Sequence, residues 1–258
     1  MFLVDTHSHI YLPDFKGEET AIKERAKKNN VHKIFLPNID LTSIKPLMEL
    51  CREDSSFYYP MMGLHPSSVE NNYIEVLNQI KSHFHQFSFF AIGEIGIDLY
   101  WDKTYIEEQK AAFRAQLEWG KEMNLPVVIH ARDSFNEIFE ILDEVNDDKL
   151  FGIFHSFTGN IEQARYIIDK GFKLGINGIV TFKNTQLDDV VKQIDINHLV
   201  LETDSPYLAP VPKRGKRNES AYLLYIAENI AEIYQMPIEE VAAITTKNAF
   251  EIFGIKDE

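Results

Sequence analysis

The sequence opens with FLVDTHSHIYL, residues 2–12, in which a short apolar run is followed by two histidines one residue apart. A short run rich in Leu and Val is typical of a β-strand that is buried on both faces. On an extended strand, side chains two residues apart point the same way, with their Cα atoms about 6.6 Å apart. His7 and His9 can therefore direct their imidazole nitrogens to one metal ion, at bond lengths of about 2.1 Å.

Similar apolar runs recur along the chain, separated by longer segments with helical periodicity. The further runs are KIFLP (33–37), FYYPMMG (57–63), FFAIG (89–93), LPVVIH (125–130), FGIFH (151–155), GFKLGI (171–176) and HLVLET (198–203). In NIEQARYIIDKG, residues 160–171, apolar residues recur at helical spacing, and Gly171 is typical of the residue that ends a helix. Eight strands that alternate with helices predict a parallel sheet. In a chain of this length they predict an α/β fold of the closed (β/α)8 TIM-barrel type.

Two additional C-terminal helices are predicted beyond the eighth strand. They are SAYLLYIAENIAEIYQ, residues 220–235, and IEEVAAITTKNAFEIFG, residues 238–254, which follows Pro237. An open, doubly wound sheet is the alternative, but no glycine-rich nucleotide-binding turn follows the first strand. The sequence contains no low-complexity stretch and no linker rich in Pro, Gly or Ser. We therefore predict one domain, residues 1–258.

The composition narrows the class of protein. The formal net charge of −14 argues against a surface that coats nucleic acid or an anionic membrane, so a polyanionic substrate must be bound locally. Cys51 is the only cysteine, which excludes an intrachain disulfide and predicts a reducing compartment. We find neither a signal-peptide pattern nor an apolar run of membrane-spanning length. We therefore expect a soluble cytoplasmic protein with no membrane partner, and we infer no obligate protein partner.

Polar residues cluster where the predicted strands end, which is where TIM barrels place their active sites. These residues are His7, His9, His65, Glu94, His130, His155 and Asp204. Singly, each has a structural explanation, such as a hydrogen-bonded core histidine or a pair between Glu94 and an arginine. Taken together, the convergence of nitrogen and oxygen donors on one rim favours two divalent ions, with a carboxylate that bridges them. Such a donor set is compatible with zinc, manganese or magnesium. The remaining histidines are expected to lie elsewhere, and they are His32, His83, His85 and His198.

Six motifs point to a known family. They are DTHSH, GLHP, GEIGID, PVVIHARD, FHSFTG and ETDSPYLAP…RGKRNES. They resemble the motifs of the TatD-type deoxyribonucleases, which are metal-dependent, amidohydrolase-like barrels. The resemblance covers almost the whole chain, in order. The HxH pattern is shared by many barrels, whereas GEIGID combined with ETDSPYL and RGKRNE is specific.

This resemblance implies a set of metal ligands. His7 and His9 would bind one ion, His130 and His155 would bind the second, and Glu94 would bridge the two.

The resemblance also implies roles for Asp204 and His65, and it implies a reaction. Asp204 would bind metal and would orient or deprotonate the attacking water, while His65 would lie close to the substrate. The implied reaction is hydrolysis of DNA phosphodiester bonds. Two departures leave the substrate preference open. Ser8 stands where many members have Cys or Ala, and Ser220 stands where Pro is usual.

A cluster of basic residues follows the eighth strand of this acidic chain. Its members are Lys213, Arg214, Lys216 and Arg217. Because barrel enzymes often bind phosphate near the loops after strands seven and eight, the cluster predicts a phosphate contact, with a solvated basic loop as the alternative. Arg132 is predicted either to contact phosphate or to pair with Glu202. Three aromatic residues of the rim either stack on unpaired bases or cover the barrel mouth, and they are Tyr100, Trp101 and Tyr207.

The sequence therefore predicts a divalent-metal-dependent hydrolase that cleaves DNA, an exonuclease acting on single strands or strand ends. The alternative is an amidohydrolase-type enzyme that hydrolyses an amide or a carboxylic ester, including a tRNA-linked ester. Many such enzymes bridge two metals with a carbamylated lysine at the position where this chain has Glu94. A metal-stabilised binding scaffold is a third class. It is disfavoured because structural metal sites are usually closed to water, and the mouth of a barrel is open.

Overall fold

Eight strands alternate with helices in the computed structural model, which describes residues 1–256. The strands are β1 Leu3–Asp5, β2 Val31–Pro37, β3 Tyr58–Met61, β4 Ile92–Asp98, β5 Val127–Arg132, β6 Gly152–His155, β7 Phe172–Ile176 and β8 Leu199–Leu201. The helices are α1 Glu19–Lys28, α2 Ile44–Glu53, α3 Tyr73–Ser82, α4 Ile106–Met123, α5 Phe135–Val145, α6 Ile161–Asp169, α7 Leu187–Val191, α8 Leu223–Tyr234 and α9 Ile238–Phe253. Each of the eight predicted apolar runs overlaps one of these strands, and β2, β4 and β5 extend beyond their runs.

The strands form a closed barrel. Regular parallel ladders join β1 to β2 and β3, and join β4 through to β8. Met62 pairs in parallel with Ile92, which connects β3 to β4. The N–H of Thr6 donates to the carbonyl of Leu201 at 3.0 Å, which connects β8 to β1. The predicted (β/α)8 architecture is confirmed.

The C-terminal helix α9 covers the N-terminal end of the barrel. Phe253 of α9 stacks on Phe35 of β2, with ring centroids 3.6 Å apart. Both belong to a buried cluster with inward-facing strand residues such as Val128 and Ile153. The apolar interior is thus sealed at this end, and only the carboxyl ends of the strands remain for a site that a substrate can reach.

The helix signals of the sequence are also confirmed. Asn160 caps α6 in a reciprocal pair with Gln163, and Gly171 follows the helix at a φ of +90°. Only a residue without a Cβ adopts this left-handed conformation freely, which explains why the helix ends there. No helix within residues 1–256 is long and apolar enough to cross a membrane.

Candidate metal centre

Strand alternation directs the predicted ligands into the barrel. Val128 and Ile153 face the apolar interior, so residues two positions further along the same strands face the same side. These residues are His130 and His155, which pair directly across β5 and β6. Their position at the carboxyl ends leaves the imidazoles above the apolar layer.

Glu94 lies at the centre of the cluster, and its two oxygens face different histidines. Oε2 lies 3.1 Å from His7 Nε2 and 3.5 Å from His9 Nε2. Oε1 lies 2.9 Å from His130 Nδ1 and 3.7 Å from His155 Nε2. Among the described residues Glu94 pairs with histidines and forms no ion pair with an arginine, so the alternative of a Glu94–arginine pair is wrong. A carboxylate placed in this way can bridge two ions.

Asp204 completes the cluster from the turn after β8. Its Oδ1 lies 3.6 Å from His9 Nε2 and 3.8 Å from His155 Nε2. The backbone of Asp204 is left-handed, with a φ of +56°, and its N–H donates to the carbonyl of His7 at 2.9 Å. The structure therefore brings all six residues that the sequence singles out as metal ligands to one rim.

The spacing of the donor atoms fits divalent ions. Atoms bonded to one ion at about 2.1 Å lie roughly 3.0–3.4 Å apart in octahedral or tetrahedral geometry. The His7 and His9 Nε2 atoms lie 3.2 Å apart, in a group with Glu94. Further compact groups of donors are His7 with His155 and Asp204, and His65 with Glu94 and His130. His65 Nε2 lies 3.4 Å from Glu94 Oε1. This residue can therefore contribute to a metal site as well as contact the substrate.

Hydrogen bonds around His9 leave the nitrogen that faces the cluster free to bind metal. The hydroxyl of Tyr11 donates to the carbonyl of Pro37 at 2.5 Å, so its oxygen can only accept from His9 Nδ1, 3.1 Å away. Because a neutral imidazole carries one proton, His9 Nε2 then keeps its lone pair. This arrangement is typical of metal-binding histidines, whose second nitrogen is held by an outer partner.

Two buried carboxylates lie beside the outer nitrogens of other histidines, a role that the sequence analysis did not assign to them. Asp98 Oδ2 lies 2.9 Å from His130 Nε2, and Glu202 Oε1 lies 2.9 Å from His155 Nδ1. Glu202 also accepts from the N–H of Ser156 at 2.6 Å. Both carboxylates stand beside Glu94 and Asp204 in the specific motifs GEIGID and ETDSPYL, which is the one local signal for them, and the histidine that each contacts is set by the packing of the strands.

Burial and close charges shift several pKa values in the cluster. Burial raises the pKa of Glu94, but the surrounding imidazoles outweigh burial and hold that pKa well below its usual range. Burial lowers the pKa of His155, but Glu202, Glu94 and Asp204 outweigh it and raise that pKa to about 10. Burial raises the pKa of Asp204 to about 6, although His155 and His9 oppose the rise. The cluster therefore places protonated imidazole beside negative carboxylate, and divalent ions that bind here would displace the imidazole protons.

A cavity of about 1020 Å³ opens above the cluster, and its lining includes Glu94, His130 and Asp204. Arg132 and Tyr100 also line it, and the Arg132 guanidinium lies 3.9 Å from the centre of the Tyr100 ring. The predicted alternative of an Arg132–Glu202 pair is wrong, because the register that places Glu202 beside His155 leaves Arg132 at the rim.

The basic loop lies outside this cavity. The sequence predicts phosphate binding by its four basic residues, but none of them is among the described residues that line the cavity. The Arg214 guanidinium lies 3.8 Å from the centre of the Phe182 ring. Arg217 pairs with Glu18 next to α1 at 2.8 Å, so the structure gives it a contact within the protein instead of a place at the site. The Lys213 Nζ lies 5.3 Å from the Tyr222 ring, and a phosphate contact by this loop stays a prediction.

The remaining histidines lie away from the centre. His32 stands near the start of β2 and stacks on Phe2, and His198 stands just before β8. His83 and His85 form a short 3-10 turn after α3. None of the four belongs to a donor group within residues 1–256.

A closed parallel barrel with histidines and carboxylates at its carboxyl rim defines the class of metal-dependent barrel hydrolases. A family model described as "TatD related DNase" matches residues 4–254. The chain belongs to this family.

Individual proteins are similar to this chain in sequence and in structure. The uncharacterized metal-dependent hydrolase YabD of Bacillus subtilis is 41% identical over 98% of this chain and 99% of its own. The uncharacterized metal-dependent hydrolase YcfH of Escherichia coli K12 is 32% identical over 99% of this chain and 97% of its own. The crystal structure of YjjV, a TatD homologue from Escherichia coli K12, superposes with a TM-score of 0.92 at 27% identity, over 98% of each chain.

Proposed function

We propose that this protein is a divalent-metal-dependent hydrolase that cleaves phosphodiester bonds of DNA, as an exonuclease on single strands or strand ends. The observation that carries the proposal is the position of Glu94, whose two oxygens face separate groups of imidazoles beneath an open cavity. The description of the matching family as a DNase supports DNA as the substrate.

The donor set suits two ions, and zinc, manganese and magnesium are the candidates. Two such ions would supply Lewis acidity towards the phosphate oxygens and would favour ionisation of the hydrolytic water. His7 and His9 would hold one ion, His130 and His155 the other, and the negative charge of Glu94 would offset the repulsion between them.

Other residues of the chain would position the reactants. The Asp204 side chain is 13% exposed and lines the cavity, so its carboxylate can hold the hydrolytic water and accept its proton. Arg132 at the rim would bind a phosphate oxygen, because a guanidinium offers paired donors that match phosphate. His65 lies between the cluster and the cavity, where it would contact the same phosphate or support the metal site.

Hydrolysis of an amide or a carboxylic ester, including a tRNA-linked ester, is the alternative for this barrel. Phosphodiester chemistry is favoured because the bridging position holds Glu94, and because no lysine occurs among the described residues that line the cavity. Arg132 is the one arginine among the described residues that line the cavity, and it gives an anionic group a contact outside the histidine cluster.

Digestion of end-labelled DNA tests the proposal directly. Protein supplied in turn with zinc, manganese and magnesium should shorten single-stranded DNA one nucleotide at a time. Asp204→Asn, which keeps the size of the side chain, should abolish most of this activity. Parallel assays with amide, ester and aminoacyl-tRNA substrates provide the comparison. Turnover of one of these with no phosphodiester cleavage under any metal would overturn the proposal.

A further inference from the structure

Two large aromatic side chains stand exposed at the rim of the cavity. Trp101 is 71% exposed and Tyr100 is 54% exposed, and both line the cavity together with Glu94 and His130. Side chains of this size are mostly buried in folded proteins. An exposed pair beside a catalytic cluster therefore offers flat apolar surface to a ligand.

The loop that carries this pair is fixed to the metal centre through Asp98. The N–H of Tyr100 donates to Asp98 Oδ1 at 2.9 Å, and the N–H of Trp101 lies 3.4 Å from the same oxygen. The other oxygen, Oδ2, lies 2.9 Å from His130 Nε2. One carboxylate thus sets the distance between the aromatic pair and the ions that His130 would help to bind.

Arg132 stands at the same part of the rim with its charge available. Its guanidinium lies 3.9 Å from the centre of the Tyr100 ring and 5.4 Å from that of Trp101. Among residues 1–256 it forms no ion pair with a carboxylate, unlike Arg217, which pairs with Glu18. A guanidinium that rests over an aromatic ring and has no carboxylate partner can bind an external anion, and phosphate is the anion its donors match best.

We propose that Trp101, Tyr100 and Arg132 form a subsite for one unpaired nucleotide, whose base stacks on Trp101 and whose phosphate binds Arg132. The subsite rests on the proposed function and narrows its substrate to a strand with unpaired bases. Within a duplex, each internal base is stacked between two neighbours and offers no free face. Stacking of one base on an aromatic side chain increases affinity by about 5- to 150-fold.

Tryptophan fluorescence reports on this subsite without any hydrolysis. The chain contains two tryptophans, and Trp119 is buried at 5% exposure, so quenching by a bound base reports on Trp101. Metal-loaded protein is titrated with a single-stranded phosphorothioate oligonucleotide that resists cleavage, with its duplex, and with a strand that has an abasic terminal nucleotide. We expect quenching and the tightest binding with the intact single strand.

Variants separate stacking from a general loss of structure. Trp101→Leu should remove the quenching and weaken single-strand binding by about 5- to 150-fold, and it should raise KM more than it lowers kcat. Trp101→Phe keeps an aromatic face and should restore much of the affinity. Phe2→Leu removes an aromatic ring at the opposite end of the barrel and should leave binding unchanged.

The outcomes distinguish this subsite from the proposed function. The subsite is overturned if Trp101→Leu binds the single strand as tightly as the unmodified protein does. It is also overturned if the duplex and the abasic strand bind as tightly as the intact single strand. Both conclusions hold even if DNA is hydrolysed. If Trp101→Leu abolishes the quenching, the subsite is supported. If the same protein hydrolyses no unmodified DNA, the proposed function is overturned.

Discussion

The imidazole of His130 lies between two carboxylates, with Nε2 2.9 Å from Asp98 and Nδ1 2.9 Å from Glu94. Burial lowers the pKa of His130, but the hydrogen bonds that the ring donates to Asp98 and Glu94 outweigh burial and raise this pKa to about 9. Glu94 belongs to the cluster itself, whereas Asp98 stands behind the ring and fixes its orientation.

Asp98→Asn is expected to weaken metal binding by about 10- to 100-fold, because the neutral amide no longer enhances the basicity of the His130 ring. Competition with a fluorescent chelator measures the affinity, and a melting curve checks the fold. Asp102→Asn is the matched control, because Asp102 is an exposed residue of the neighbouring loop and bonds only locally to Thr104. An unchanged metal affinity in Asp98→Asn would show that Asp98 does not act through His130.

Glu94→Gln keeps the size of the side chain but removes the charge that holds two ions together. The variant should fold, lose the second ion and hydrolyse phosphodiesters on the order of 100-fold more slowly. Metal content, melting temperature and turnover are measured on one preparation, with Glu107→Gln on the exposed face of α4 as the control. Retention of both ions with near-normal turnover would contradict the bridging role.

The basic loop should divide into two functional parts. Arg217→Ala should lower the melting temperature slightly and leave the salt dependence of DNA binding unchanged, because Arg217 contacts Glu18 and the Phe15 ring. A triple alanine variant of Lys213, Arg214 and Lys216 should reduce the log–log salt slope by about 0.7 for each phosphate that the loop no longer neutralises. An unchanged slope in the triple variant would mean that this loop is only solvated.

Cys51 should be unreactive in the folded protein. It is buried in α2, and burial raises the pKa of its thiol to about 12, so almost no thiolate is present at neutral pH. A chromogenic disulfide reagent should therefore react with one thiol per chain only after denaturant is added. Rapid reaction under native conditions would show that α2 opens.

The sequence predicts the barrel well because its strands are buried on both faces and therefore appear as continuous apolar runs. All three residues of β8, Leu199–Leu201, are apolar and buried, for example. The same topology explains why the six candidate ligands lie together, since the ends of parallel strands meet at one rim. Position along a strand is enough to identify these residues.

Residues whose role depends on a distant partner are not predictable in this way. Asp98 becomes informative only when the register of β4 and β5 places it near His130. Arg217 resembles a phosphate ligand in sequence, and only the packing of α1 brings Glu18 to it across 199 positions. Register and packing both arise from contacts across the whole chain, which local patterns do not contain.

The seam between β1 and β8 lies within the metal centre. His7 and Asp204 are joined by a backbone hydrogen bond, and Asp5 accepts two hydrogen bonds from Thr203 at 2.6 and 2.9 Å. Candidate ligands that follow the first strand and the last strand thus meet only after β8 has docked on β1. Ions bound here would cross-link β1 and β8. Metal uptake during refolding should therefore be a late event that reports completed assembly of the barrel. Removal of the ions by a chelator should make this seam the first part of the barrel to open.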